Sequence, residues 1–258
     1  VTVIAAYNLK GGVGKTAAAV NLAWFAAQEG ARVLLVDLDP QAAASFYLRV
    51  ESGLKGGSEK LIGKKATILD NIAVTEYPNL HVVPADLSHR NLDLILNEEK
   101  HPANRLRKIL GQLGDEFDYI FLDCPPGLSL VSENIFNAAD ALLVPVIPTH
   151  LSVRAYDVLT EFLRQNIEPA PQVMPFFSML DRRRQLHVQL VREFASAHRE
   201  VLRVFIPYAS QVERMGVHQA PLGVFAGASE PGRAFQALWS AVKERLETRI
   251  AVSHAEVQ

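Results

Sequence analysis

The chain has 258 residues, 49% hydrophobic and 21% charged, with a formal net charge of −2. This is an ordinary globular composition with enough chain for one large core, and its charge does not advertise nucleic-acid binding. One cysteine, Cys124, excludes an intrachain disulfide, and no run approaches the roughly 18 apolar residues that span a bilayer. Residues 1–7 lack the basic and apolar regions of a secretion signal, so a cytoplasmic protein with no membrane span is expected.

In chain order, Val3–Tyr7 reads as a buried strand running into a Gly-rich turn, and Thr16–Gln28 as an Ala-rich helix stopped at Gly30. Arg32–Asp37 is a second buried strand. Glu51–Lys65 holds four Gly and four Lys and is expected to be a mobile loop. Further strands are predicted over Leu80–Val83, Tyr119–Leu122, Ala141–Val146, Val173–Met179 and Val201–Phe205, and helices over Asn104–Leu113, Leu151–Arg164, Gln185–Ala197 and Arg233–Arg249. The last residues, 251–258, read as a flexible polar tail. Short apolar strands alternating with helices imply an α/β fold, a doubly wound, mostly parallel sheet with helices on both faces. With no Pro/Gly/Ser-rich linker, residues 1–258 are read as a single domain without an N-terminal helix-turn-helix unit. Ligands of such sheets bind at the carboxyl ends of the strands.

The strongest chemical signal lies there. Lys10-Gly11-Gly12-Val13-Gly14-Lys15-Thr16 sits between the first strand and the first long helix, the context a P-loop requires. Glycines let backbone N–H groups close on phosphate oxygens, and the helix N-terminus adds its dipole. Lys15, read as a solvent-facing loop lysine, would reach the β/γ-phosphates, and the Thr16 hydroxyl would ligate Mg²⁺. The general pattern has Gly where Leu9 stands, and here carries an additional lysine, Lys10. Asp37 and Asp39 follow the second strand, placed to position water and share in a metal's coordination. Tyr119–Leu122 followed by Asp123 is a Walker B pattern, with Asp123 holding Mg²⁺ through water. No [NT]KxD guanine-recognition tetrapeptide occurs, which favours ATP over GTP.

Lys10–Thr16 resembles the deviant Walker A box of the ParA/MinD group of P-loop ATPases. Asp37-Leu38-Asp39-Pro40-Gln41 is similar to that group's switch I box, and Asp123-Cys124-Pro125-Pro126-Gly127 to its switch II. Weaker likenesses follow at Pro145–Pro148, Ser178–Arg182 and Ile206-Pro207, with Tyr208 where the group has a basic residue. The resemblance implies that Lys10 reaches the nucleotide of a dimer partner, that Asp39 orients the attacking water and that Asp37 supports the metal's water shell. It also implies that Gly11, Gly12, Val13, Gly14 and Ala17 complete the ATP site, with Pro207 near the adenine.

A ParA-like function would follow: an ATP-bound homodimer that binds double-stranded DNA non-specifically, associates with the nucleoid and positions a cargo. An adaptor protein would stimulate its slow ATPase activity. Of the 13 basic residues from 151 on, 12 are Arg, and Arg182, Arg183, Arg184, Arg203, Arg214 and Arg233 are the candidate phosphate contacts. A MinD-like membrane-bound protein is the competing reading, opposed by the few apolar residues and two Glu of the last helix. A metal-cluster carrier is opposed by the single cysteine, and a small-molecule ligase on the same scaffold by Lys10.

Overall fold

The structure, a computed structural model, describes residues 1–62 and 68–255, with side chains to residue 248. The strands are β1 Thr2–Ala6, β2 Val33–Asp37, β3 Ala73–Val74, β4 Leu80–Val83, β5 Tyr119–Asp123, β6 Ala141–Val146, β7 Gln172–Leu180 and β8 Phe205–Pro207. They form one sheet ordered β3-β4-β2-β5-β1-β6-β7-β8, in which every pairing is parallel except β3 with β4. The chain winds outward in both directions from β1, as the sequence implied. Side chains of β1 show why an all-apolar strand is needed: Ile4 and Ala6 enter one core, while Val3 and Ala5 enter the core on the opposite face.

The helices are α1 Lys15–Gln28, α2 Ala43–Tyr47, α3 Gly57–Ile62, α4 Leu92–Asn97, α5 Arg105–Leu110 and α6 Leu130–Ala138, followed by α7 His150–Asn166 and α8 Gln185–Ala197. Three short helices, α9 Ser210–Glu213, α10 Met215–His218 and α11 Leu222–Ala226, lead into α12 Glu230–Ala255. Buried alanines at 18, 19, 23, 26 and 27 let α1 lie close under the sheet beside α12, whose Phe235, Leu238, Trp239 and Val242 fill the same core.

Four expectations change. The stretch read as a mobile loop contains α3, because Leu54, Leu61 and Ile62 find a core to enter; its last part, 63–65, lies outside the described residues. The strand expected at Val201–Phe205 begins only at Phe205: Val201 and Leu202 are buried as loop, Leu202 N donating to Pro175 O at 2.8 Å. Ser129 and Ser132 form a capping box that starts α6, a helix the apolar pattern did not assign. Finally, α12 continues to Ala255, since 251–255 contain no residue that stops a helix; residues 256–258 lie outside the described residues.

Candidate active site

The parallel register places Asp37, the last residue of β2, opposite Asp123, the last residue of β5, while Ala6 of β1 pairs with Asp123 on its other side. Two carboxylates therefore meet beside the turn that connects β1 to α1. That turn is anchored by the buried Asn8, whose Nδ2 donates to Pro145 O at 2.8 Å and whose Oδ1 accepts from Lys10 N at 2.9 Å. Gly14 has φ 96°, and an added Cβ would stand 2.9 Å from Ser178 Oγ, so both conformation and space require glycine. Around Gly11 and Gly12 no atom lies within 4 Å of an added Cβ, leaving the outer side of the turn open.

Lys15 is not the solvent-facing residue expected. It is only 6% exposed, and Nζ donates to Lys10 O at 3.0 Å. Burial lowers its pKa, against the pull of Asp123 and Asp39 toward the charged form. The side chain of Lys10, by contrast, is half-buried and makes no hydrogen bond or ion pair with the described residues. Asp37 is fully buried; its Oδ2 accepts from Ser45 N at 2.9 Å and from Ser45 Oγ at 2.8 Å, and burial pushes its pKa up to about 6 despite these bonds. Asp39 is half-buried, its Oδ1 accepting from Gln41 N at 2.9 Å.

Asp123 is the anomaly. It is fully buried, yet among the described residues neither carboxylate oxygen has a partner in hydrogen-bond geometry, the Thr16 hydroxyl lying near without meeting it. Burial, and after it the charge of Asp37, raise its pKa well above the carboxylate range; nearby Thr16 and Lys15 offset this only in part. An orphaned anion of this kind costs stability unless something cationic answers it. Among the described residues no group of three His, Cys, Asp or Glu could hold a metal alone. Thr16, Asp37, Asp39 and Asp123 thus fit a hydrated, hard cation that takes its other ligands from water and phosphate, rather than a protein cage.

The turn opens on a cleft of about 680 Å³, lined by Gly11, Gly12, Gly14–Ala17, Asp39–Gln41, Tyr47, Pro125 and Pro126 on one side and by Met179, Val212 and Glu213 on the other. An apolar recess of about 60 Å³ adjoins it, walled by Ala17, Phe176, Ile206, Pro207, Tyr208 and Phe235. The structure thus brings Ala17 and Pro207 to the same site as the Gly-rich turn. Sequence reasoning missed Tyr47, Val212 and Glu213, and named Met179 only as a strand end. Met179 takes a left-handed φ of 54° where the β7–β8 register shifts between Phe177 and Leu180; nothing about a methionine in sequence signals that bend.

The six arginines do not form one cluster in sequence or fold. Arg183 and Arg184 both pair with Asp181, at 2.9 and 3.8 Å, while Arg182 lies over the Phe205 ring at 4.4 Å. Arg203 lines a separate open cavity beside α8. Arg214 joins α9 to α10, and Arg233, in the first turn of α12, donates to Ala228 O. All six are exposed. Among the described residues no helix is long and apolar enough to cross a membrane.

Known proteins resemble the chain in the same regions. A family model described as an AAA domain (AAA_31) matches residues 1–172, more than half of the chain. The sporulation initiation inhibitor protein Soj of Bacillus subtilis (strain 168) is 30% identical over 226 residues, covering 85% of this chain and 89% of Soj. The chromosome partitioning protein ParA of Myxococcus xanthus (strain DK1622) is 33% identical over 213 residues, covering 80% of this chain and 75% of its own. Among solved structures, the ATP complex of a Cyanothece McdA variant is 21% identical with a TM-score of 0.80, covering 94% of this chain and 96% of that one. Cobyrinic acid a,c-diamide synthase of Mycobacterium smegmatis, with bound ADP and magnesium, is 22% identical with a TM-score of 0.79, covering 95% of each chain; both likenesses show the fold. The open Gly-rich turn, the paired strand-end carboxylates and the match to Soj and ParA together make this chain a member of the ParA/MinD family of P-loop ATPases, on its ParA-like branch.

Proposed function

We propose that the chain binds Mg-ATP in the cleft, closes into a homodimer around it, binds double-stranded DNA without sequence preference in that state, and positions a cargo. An adaptor protein accelerates hydrolysis and release. The observation that carries the reading is Asp123: a buried carboxylate with no hydrogen-bond partner for either oxygen among the described residues, beside an open P-loop, is accounted for by a cation arriving with a polyphosphate. The α and β phosphates lie against Gly11–Gly14, Lys15 and Thr16, and the base enters the recess formed by Pro207 and Phe176. Magnesium, when bound, neutralises the β/γ oxygens. Thr16 would ligate it, Asp123 and Asp37 would hold its water shell, and Asp39 would orient the attacking water. The unpaired ammonium of Lys10 serves the partner's nucleotide. The proposed DNA surface draws on Arg182, Arg203, Arg214 and Arg233, whose guanidinium groups form no ion pair with the described residues, more than on Arg183 and Arg184, which Asp181 already neutralises.

The test is to follow mass by light scattering and the anisotropy of a random duplex in parallel, with ADP and with ATP, in magnesium. A dimer and a strongly salt-dependent DNA signal, both present only with ATP, are expected, because two protomers double the phosphates contacted and each releases about 0.9 counterion. Lys10→Ala should remove the dimer and leave the monomer's nucleotide affinity. Equal DNA binding with both nucleotides, or none with ATP at low salt, overturns the DNA reading. A wild-type-like dimer from Lys10→Ala overturns the role in trans.

A further inference from the structure

The turn after β5 faces the cleft with Pro125 and Pro126, which carry no backbone N–H. Gly127 is therefore the first residue after Cys124 with an amide to offer a ligand. That amide is already committed: Gly127 N donates to Leu9 O, in the P-loop turn, at 3.1 Å. Its carbonyl is committed as well. Tyr7, directly before the P-loop turn and fully buried, donates its hydroxyl to Gly127 O at 2.7 Å. The Tyr7 ring is itself fixed, edge-on to Phe136 of α6 at 4.8 Å, and Tyr7 N donates to Leu143 O at 3.0 Å. Gly127 is thus held from both sides by the segment that also builds the phosphate cradle. It has φ 95°, and no atom stands within 4 Å of an added Cβ, so there is space for it to move.

We propose that Tyr7 is a positioning residue that latches Gly127 away from the γ-phosphate and so sets how strongly the site prefers ATP to ADP. The proposal rests on the nucleotide reading above. For the turn to give the γ-phosphate a backbone donor, the Gly127 amide must leave Leu9 O. The Tyr7 hydroxyl opposes that movement by holding the adjoining carbonyl. ADP makes no such demand and is indifferent to the latch. The bond is one neutral hydrogen bond between buried groups, which shifts the latched-to-released ratio by roughly threefold to tenfold. A ligand that binds the released state better draws on that ratio, and a ligand without differential affinity does not.

Tyr7→Phe removes the hydroxyl and keeps the ring packed on Phe136. Titration calorimetry with magnesium, against ADP and against a non-hydrolysable ATP analogue, is the measurement. The analogue should bind about threefold to tenfold more tightly than to wild type, with ADP affinity within twofold. Hydrogen exchange of the Gly127 amide in the nucleotide-free protein should be faster in the variant. Equal shifts for both nucleotides, or no shift in either with exchange unchanged, would mean that Tyr7 only packs, and the latch is overturned. Wild type binding neither nucleotide is a separate result, one that removes the nucleotide reading itself.

Discussion

The two ends of the cleft are built by different means. At the end with the Gly-rich turn, three short segments suffice: the turn with the helix it opens, and the acids that end neighbouring strands β2 and β5. At the recess end, the wall is gathered from α1, β7, β8, α9 and α12, and its special feature is the bulge that gives Met179 a left-handed backbone. The first end is electrostatic and unforgiving, with a buried lysine and two buried carboxylates. The second is apolar and partly open, with Tyr208 62% exposed at its rim. Removing charge from the first should therefore cost far more than removing surface from the second.

The largest effect is expected at Lys15. Lys15→Ala deletes the cation proposed to meet the β/γ-phosphates and leaves Lys10 O without its partner. Nucleotide affinity by calorimetry should fall at least about 100-fold, in line with the loss of a charge-assisted contact made by a buried lysine. Retained affinity would show that the phosphate end is not where binding energy is concentrated.

Asp123→Asn sharpens the comparison by separating stability from function. The neutral amide removes an unanswered buried charge, so the nucleotide-free melting temperature should rise by a few degrees, about 2–4 °C for each kcal/mol in a chain of this size. The stabilisation that Mg-ATP gives wild type should be lost. The pH dependence has the same origin. Asp37 is held at about 6 against an ordinary 3.8, and Asp123 is raised in the same direction. Between those values the folded chain binds more protons than the unfolded one, so this contribution makes the nucleotide-free protein more stable as pH falls through about 6, levelling off near 4. Asp37→Asn should flatten that slope. A melting temperature from these sites that rises with pH over the same window would contradict the burial of both acids.

The smallest effect belongs to the recess. Tyr208→Ala removes an exposed ring from its edge and should weaken ATP about threefold to tenfold, mainly through the base. The loss should be similar for ADP and ATP, since both carry adenine. A loss as large as that of Lys15→Ala would mean that the two ends are energetically alike.

What was legible in the chain is local. The alternation of apolar runs with helices gave the doubly wound sheet, and Lys10–Thr16, Asp37, Asp39 and Asp123 were placed because strand ends in a parallel sheet point to one edge. What it could not determine depends on neighbours distant in the chain. Whether Lys15 is exposed is decided by how the turn after β1 packs on the ends of β5 and β6, and whether Leu61 and Ile62 form a helix is decided by the core they meet. The Met179 bend follows from the register of β8, and the capture of Gly127 by a tyrosine 120 residues earlier follows from the central place of β1. A motif fixes the backbone around itself; burial, orphaned charge and latching are properties of the space between segments, which only the packed sheet creates.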